Sequence, residues 1–379
     1  MKISIIVPIY HGKKYILGLI EQIEDSIRNM FCKIQLELVL VNDAPDDDID
    51  ELYSSECIDI RVLNTDVNRG IHGARVRGLE HCCGEWVVFL DQDDKIFPNY
   101  LESQLQHIQE ADAIVCRLIH ENKEYYTNSN LFEGVLDGRR MLVEGNQIVS
   151  PGQVLLKKSA IPSLWRNNIM KNNGADDWLL WLCMIAENKK FVLNQEVLFE
   201  HVVDGNNTSW DSIAMFQSED EVYEILSKEK KFKDEMLNEL KDAIKRKQLA
   251  YIRSLEAMRS RFLLCDKWMM LENENGNIVH FFKKRGYRKV AVYGVGELGR
   301  LLIGRLCRGK ELEVRAIDQN ADYIDINVPI CKLEDFNDCV DVVVVTLINN
   351  PKKIADLIKQ RTKSEILILE DVLEMWGRE

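Results

Sequence analysis

The chain has 379 residues, enough for two or three domains. Its 46% hydrophobic and 29% charged residues describe a chain that buries a core in water. A net charge of −13, from 49 basic and 62 acidic side chains, excludes broad nucleic-acid binding, which needs a basic face.

Residues 3–8 are mostly β-branched and end at Pro8, the pattern of a buried strand. Residues 15–28 carry apolar side chains at 16, 17, 19, 20, 23 and 27, one helical face. A second strand over 36–41 ends in Asn42-Asp43-Ala44-Pro45, and a third covers 58–63. The spacing predicts a helix over 70–83, with Ile71, Ala74, Leu79 and Cys82 inward. Strand 86–90 follows, then a helix over 99–110 and a strand over 113–118. Residues 121–147 are polar and turn-rich, and predict hairpins or a lid. After an apolar stretch at 153–156, Gly174-Ala175-Asp176-Asp177 opens an amphipathic helix through Trp178, Leu179, Trp181, Leu182 and Ile185. Acids in a first turn favour the helix dipole, so capping is one role for Asp176 and Asp177. Residues 191–203 read as a strand containing His201.

Alternating strands and helices predict a parallel α/β sheet with crossover helices. Ligands of such sheets sit beyond the carboxyl ends of the strands. Pro8-Ile9-Tyr10, Asn42-Asp43 and Asp91-Gln92-Asp93 all lie there. At the last of these ends Asp91, Asp93 and Asp94 crowd together behind a buried strand. Like charges repel and desolvation adds to the cost, and a bound cation removes both penalties. Alternation points Asp91 and Asp93 to one side, so the pair can offer oxygens to one hard divalent ion, Mn²⁺ or Mg²⁺. A solvated acidic loop is the competing reading.

From 216 to about 284, charged blocks alternate with Leu, Met and Ile at helical spacing, which predicts two or three helices with solvated mixed-charge faces. Peripheral membrane association through the basic clusters stays open. From Arg288 a second α/β pattern begins. Strand KVAVY runs into Gly294-Val295-Gly296-Glu297-Leu298-Gly299, which opens a helix, and the next strand closes with Asp318. Gly294, Gly296, Gly299 and Asp318 are the candidate nucleotide site of a small Rossmann-like domain, though only half of a full dinucleotide fold is present. The expected domains are 1–210, a helical connector over 211–285, and 286–379. The ten cysteines form no C-x-x-C pair, and most are expected as buried thiols in a reducing compartment. Met1-Lys2 runs directly into a strand, and no apolar run approaches a spanning helix, so a cytoplasmic location is expected, with the inner face of the cell membrane left open. The sequons at Asn206 and Asn207 are then chance matches.

Several segments together resemble the bacterial family 2 of inverting, GT-A-type nucleotide-sugar glycosyltransferases that build surface polysaccharides. SIIVPIYHGKKYI is similar to that family's opening strand and helix, with His11 where Asn is usual. LVLVNDAPDDD resembles its strand ending in an Asp pair, with Asn42 as the first member. NRGIHGARVRGLEHCCGEWVVFLDQDD matches at Gly70, Ala74, Arg75, Gly78, Gly84, Asp91, Asp93 and Asp94. GADDWLLW resembles its Glu-Asp pair, with Asp176 replacing Glu, and GNNTS after His201 is also similar. The resemblance implies a UDP-sugar donor and a glycan or lipid-linked acceptor in capsule- or O-antigen-like synthesis. It implies Asp43 on the uracil imide, Pro8 and Tyr10 in the base pocket, and Arg75, Asp91 and Gln92 around the donor. It implies Asp93 as leading metal ligand with Asp94, and Asp177 as general base. His201 is either part of the metal site or a packing residue.

Two other functions stay open: a degenerate transferase kept as a scaffold subunit, and an oxidoreductase built on the tail domain. Homo-oligomers are compatible with every reading.

Overall fold

In the computed structural model, residues 1–28, 30, 33–49, 53–126, 128–203, 211–337 and 339–378 are described. Asn206, Asn207 and the GNNTS segment lie outside them. Two compact units emerge, Met1–Gln248 and Leu249–Glu379. The stretch expected as a connector is thus divided. Helix Ser212–Ser227 and the start of helix Asp234–Asn275 join the first unit because Val222, Ile225, Leu226, Leu240 and Ile244 are buried in its core.

Among the described residues, nine strands form the first unit's sheet. They are β1 (Lys2–Ile9), β2 (Gln35–Asn42), β3 (Ile58–Asn64), β4 (Trp86–Phe89), β5 (Lys95–Ile96), β6 (Ala113–His120), β7 (Lys123–Glu124), β8 (Val154–Lys157) and β9 (Phe191–His201). Their order is β3-β2-β1-β4-β8-β6-β9-β5, with β7 beside β6. All of β1 except Lys2 is buried, as its β-branched run requires. Helix Gly70–His81 packs closely over β1 and β2 because Gly78 has no side chain. A Cβ there would stand 2.3 Å from Ile6 Cγ2 and 3.1 Å from Val41 Cγ2.

The class is mixed α/β, but the sheet is not wholly parallel as expected. Strands β3, β2, β1 and β4 are parallel, whereas β8 enters between β4 and β6 antiparallel to both. The reason lies in residues 121–153. A parallel return needs a long crossover helix. Among its described residues this segment holds strand β7, the short helices Ser129–Glu133 and Gly138–Val143 and two 3₁₀ turns, and the chain turns back antiparallel.

In the second unit β10 (Lys289–Tyr293), β11 (Glu313–Ile317), β12 (Ile330–Cys331), β13 (Val342–Val345) and β14 (Glu365–Ile368) are all parallel. Their order is β12-β11-β10-β13-β14. Side chains alternate between two cores. Val290, Val292, Val342 and Val344 meet Leu302, Phe282 and Trp376 on one face. Ala291, Tyr293, Val343 and Val345 meet Ala355 and Ile358 on the other.

Candidate active site

The carboxyl ends of β1, β2 and β4 meet at one edge of the first sheet. The Asp43 amide donates to the Ile9 carbonyl (2.8 Å), and the Leu90 amide to Ile6 (3.0 Å), so the polar residues that follow converge. Gln92 ties two of these ends. Its Oε1 accepts from the Tyr10 amide (3.0 Å), and its Nε2 donates to the Tyr10 carbonyl (3.3 Å). Tyr10 is 52% exposed, while Pro8 is buried inside β1. His11 takes a left-handed backbone, φ 48°. Asn tolerates that conformation best among residues with side chains, which accounts for the Asn that the resemblance places here.

Asp43 is buried, and its Oδ1 accepts from the Arg69 amide (2.9 Å) and the Thr65 hydroxyl (3.2 Å). Burial lifts its carboxyl above the ordinary range, against those hydrogen bonds. Asn42 is turned away, donating to the Asp47 carbonyl and Asn64 Oδ1 and accepting from the Ala44 amide.

Arg75 is the centre of the site. It projects from helix Gly70–His81 and is 3% exposed. Its Nη1 donates to both oxygens of Asp176 (3.0 and 2.8 Å), and its Nη2 to Asp91 Oδ1 (2.5 Å). Burial alone would weaken its charge, but Asp176, Asp91 and Asp177 together hold it protonated far above the ordinary range. The side chain of Asp176 therefore engages Arg75 rather than capping its own helix, Asp176–Ala186, while its carbonyl accepts from Trp165 Nε1 (2.8 Å).

Asp177 stands next to this pair and is 7% exposed. Its Oδ1 accepts from the Trp178 amide (2.7 Å) and its Oδ2 from Asn146 Nδ2 (2.7 Å). Burial, reinforced by the Asp176 charge, pushes its carboxyl up to about 7 against the pull of Arg75 and the two hydrogen bonds. A buried carboxylate poised near neutrality beside an Arg–Asp clamp is the environment of a general base.

Asp94, expected around the metal, has both oxygens on protein donors. Ser150 Oγ donates to Oδ2 (2.8 Å), and Oδ1 meets His201 Nδ1 (2.8 Å) and the Val202 amide (3.0 Å). Burial would lower the pKa of His201, but Asp94, with Asp91 and Asp93 nearby, holds it above its ordinary value. The ring of His120 stacks on His201 at 5.3 Å, the two being paired across β6 and β9. Among the described residues no three His, Cys, Asp or Glu side chains are arranged to hold an ion alone.

Asn146, Ser150 and His120 escaped the sequence reading. Ser150 had a usable signal, since Ser150-Pro-Gly-Gln153 forms a capping box at a short 3₁₀ turn. Asn146 and His120 carried none.

Comparison with known proteins places these features. Residues 4–165 match the model of glycosyl transferase family 2. The matched segment contains Asp43, Arg75 and the Asp91–Asp94 end, and stops short of Asp176, Asp177 and His201. Arg75, Asn146 and Asp94, all within it, bond to Asp176, Asp177 and His201 in turn. An uncharacterized glycosyltransferase of Rickettsia felis is 25% identical over 219 residues, 55% of this chain and 34% of that protein. One of Haemophilus influenzae is 28% identical over 209 residues, 52% of this chain and 76% of that one. Glycosyltransferase GlyG of Streptococcus pneumoniae is 32% identical over 116 residues, 30% of this chain and 37% of that protein. The chain thus spans a third to three quarters of the length of these curated relatives. Among solved structures, S. aureus TarS 1-349 aligns with a TM-score of 0.48 and 20% identity, over 64% of this chain and 71% of that one.

The second unit lies outside the matched segment. There Asp318 Oδ2 accepts from the Val295 amide (2.7 Å) and its Oδ1 from Asn320 (2.9 Å), so the expected ribose acid closes on the glycine turn itself. Gly299 is required by packing, because a Cβ would stand 1.9 Å from the Gly294 carbonyl oxygen. Among the described residues no helix is long and apolar enough to cross a membrane.

Proposed function

We propose that the first unit is a metal-dependent inverting glycosyltransferase that moves a sugar from a UDP-sugar to a hydroxyl of a glycan or lipid-linked acceptor, in bacterial surface polysaccharide synthesis. The observation that carries this reading is Asp177, a buried carboxylate lifted to about 7 beside the Arg75–Asp176 pair. The family 2 match supports the transfer chemistry.

The acceptor hydroxyl oxygen forms the new bond to the anomeric carbon while the bond to the diphosphate breaks. The hydroxyl proton passes to Asp177, and the bond electrons leave with the diphosphate. Asn146 and the Trp178 amide hold the Asp177 carboxylate in place. Arg75 fixes Asp91 at the strand end. Asp43, with Oδ1 engaged, offers its second oxygen to the uracil imide hydrogen. Tyr10 supplies an exposed ring for the base.

The residues fit a divalent ion completed by substrate. A Mg²⁺-type site commonly takes one or two carboxylates and fills its shell with phosphate oxygens and water. Asp93 and Asp91 would be those carboxylates. A ligating imidazole commonly has its other nitrogen on a carboxylate, as Nδ1 of His201 is on Asp94, so Nε2 would be its ligating atom if His201 joined the site. When bound, the ion supplies a Lewis acid for the leaving diphosphate. In thermal-shift titrations, UDP with Mn²⁺ is expected to raise the melting point of the wild type, because a ligand of the native state stabilises by mass action. Asp93→Ala should keep the melting point without ligand and lose the Mn²⁺-dependent rise. A rise of wild-type size in that variant would remove Asp93 from the metal site.

A raised Asp177 also sets the pH response. The base must be ionised, so kcat/KM should fall about tenfold per pH unit below about 7, and level off above it. Asn146→Ala removes a hydrogen bond to the ionised form and should move that acidic limb to higher pH. A limb that stays in place or moves down would detach Asn146 from the base.

In the second unit, the glycine turn serves packing. The Asp318 carboxylate already holds the turn's Val295 amide.

A further inference from the structure

A cavity of about 340 Å³ in the first unit is lined from both sides of the Asp177–Asn146 hydrogen bond. Gly145, which precedes Asn146, and Trp178, which follows Asp177, both line it. Its lining runs from Leu142 to Lys247, all within Met1–Gln248. Small-molecule sites occupy roughly 300–1,000 Å³, so the cavity is large enough for a small ligand.

One part of the lining is apolar. Trp178 is fixed there by its Nε1, which donates to the Met141 carbonyl (2.9 Å). Leu142, Val143, Ala243 and Ile244 complete that wall. The charged part is mostly engaged within the protein. Glu144 accepts from Arg140 Nε (2.6 Å), and Lys247 pairs with Glu219 Oε1. One atom is left over. Glu219 is 4% exposed, and its Oε2 has no hydrogen-bond partner among the described residues. A buried carboxylate oxygen without a donor is costly, and a ligand hydroxyl supplies one. Arg246, exposed on the same lining, offers guanidinium donors.

The charges say what kind of ligand fits. Glu144 and Glu219 balance Arg246 and Lys247, so the lining gives a charged ligand no net attraction. An apolar wall with a few placed donors and acceptors matches an uncharged sugar, whose ring carbons face the wall while its hydroxyls meet the polar groups.

We propose that this cavity binds an uncharged sugar unit of the acceptor, with Glu219 Oε2 accepting from one sugar hydroxyl and Arg246 donating to another. The proposal rests on the glycosyltransferase reading, which supplies the acceptor. It adds residues beyond the matched segment 4–165, since Glu219 lies on helix Ser212–Ser227 and Arg246 on helix Asp234–Asn275.

Saturation-transfer NMR tests it on the full chain with UDP and Mn²⁺, using the methyl glycosides of glucose, galactose, N-acetylglucosamine and rhamnose as probes. The wild type should bind at least one of them. Glu219→Leu removes the carboxylate and leaves Lys247, whose side chain is 54% exposed, to the solvent. This variant should keep the melting point and weaken that glycoside about tenfold or more, the scale of one lost hydrogen bond to a charged group. Ala243→Phe puts a ring into the cavity and should abolish binding. In both variants the thermal shift given by UDP with Mn²⁺ should match the wild type. A wild type that binds none of the probes overturns the proposal, and so does unchanged affinity in either variant. With the UDP shift intact, those results leave the transferase reading standing. A wild type that shows no UDP shift sinks the transferase reading and the acceptor assignment with it.

Discussion

Replacing Asp177 with Asn should lower sugar transfer by on the order of 10² to 10⁴, the range for a lost general base. Affinity for UDP should stay within a few-fold, because in the proposed reaction Asp177 meets the acceptor hydroxyl and not the nucleotide. The same substitution should change stability in the opposite direction. A carboxylate ordinarily titrates near 4, whereas folding pushes this one to about 7. The folded chain therefore holds a proton that the unfolded chain releases. That contribution is fully present below pH 4 and is lost as pH rises through 7. Asn keeps the shape without the charge, so Asp177→Asn should melt higher than wild type at pH 8, and the gap should close toward pH 5. Activity and melting point must thus move apart. A variant that transfers at near the wild-type rate would leave Asp177 as a helix-end residue. A variant that loses activity together with its melting point at pH 8 would have been damaged in its fold, contrary to this account.

Much of this site was legible because it sits where strands stop. Val39, Leu40, Val41 and then Asn42-Asp43, or Val87, Val88, Phe89 and then Asp91, show a switch from apolar to acidic that needs no partner to be seen. The role of Arg75 was only half legible. Its presence on the helix matched the resemblance, but its bond to Asp176 joins residues 101 apart and depends on how two helices pack. Asn146 and Ser150 were hidden for the same reason, meeting partners 31 and 56 residues away. The antiparallel entry of β8 was not legible, because 121–153 has no periodicity from which to predict a return direction. The solvated helical faces expected over 216–284 proved to be two different things. Val222, Leu226 and Leu240 are buried, while Leu255, Met258 and Phe262 are exposed. Spacing shows that apolar residues share a face, but not whether the chain itself covers that face.

Replacing Arg75 with Met should be the most damaging single change in the first unit. Arg75 and Asp176 are 3% and 2% exposed, and Asp91 completes the group. Removing one member of a buried ion pair leaves the other charge without its partner, at a cost of about 3–5 kcal/mol. Arg75→Met should therefore lower the unfolding free energy by about that amount. The Asp91 carboxylate would also lose the donor that fixes it, so Mn²⁺-dependent UDP binding should weaken in whatever folded fraction remains. A second substitution separates these effects. Arg75→Met with Asp176→Leu fills the space with apolar atoms and removes both charges, and such replacements often restore stability. The double variant should recover most of the melting point and none of the transfer, since neither Asp91 nor Asp177 regains its charged neighbour. Chemical denaturation followed by donor turnover measures both. If Arg75→Met unfolds at the wild-type midpoint, the clamp does not hold the fold together. If the stable double variant transfers sugar at near the wild-type rate, the clamp has no part in the chemistry, and Asp177 works without it.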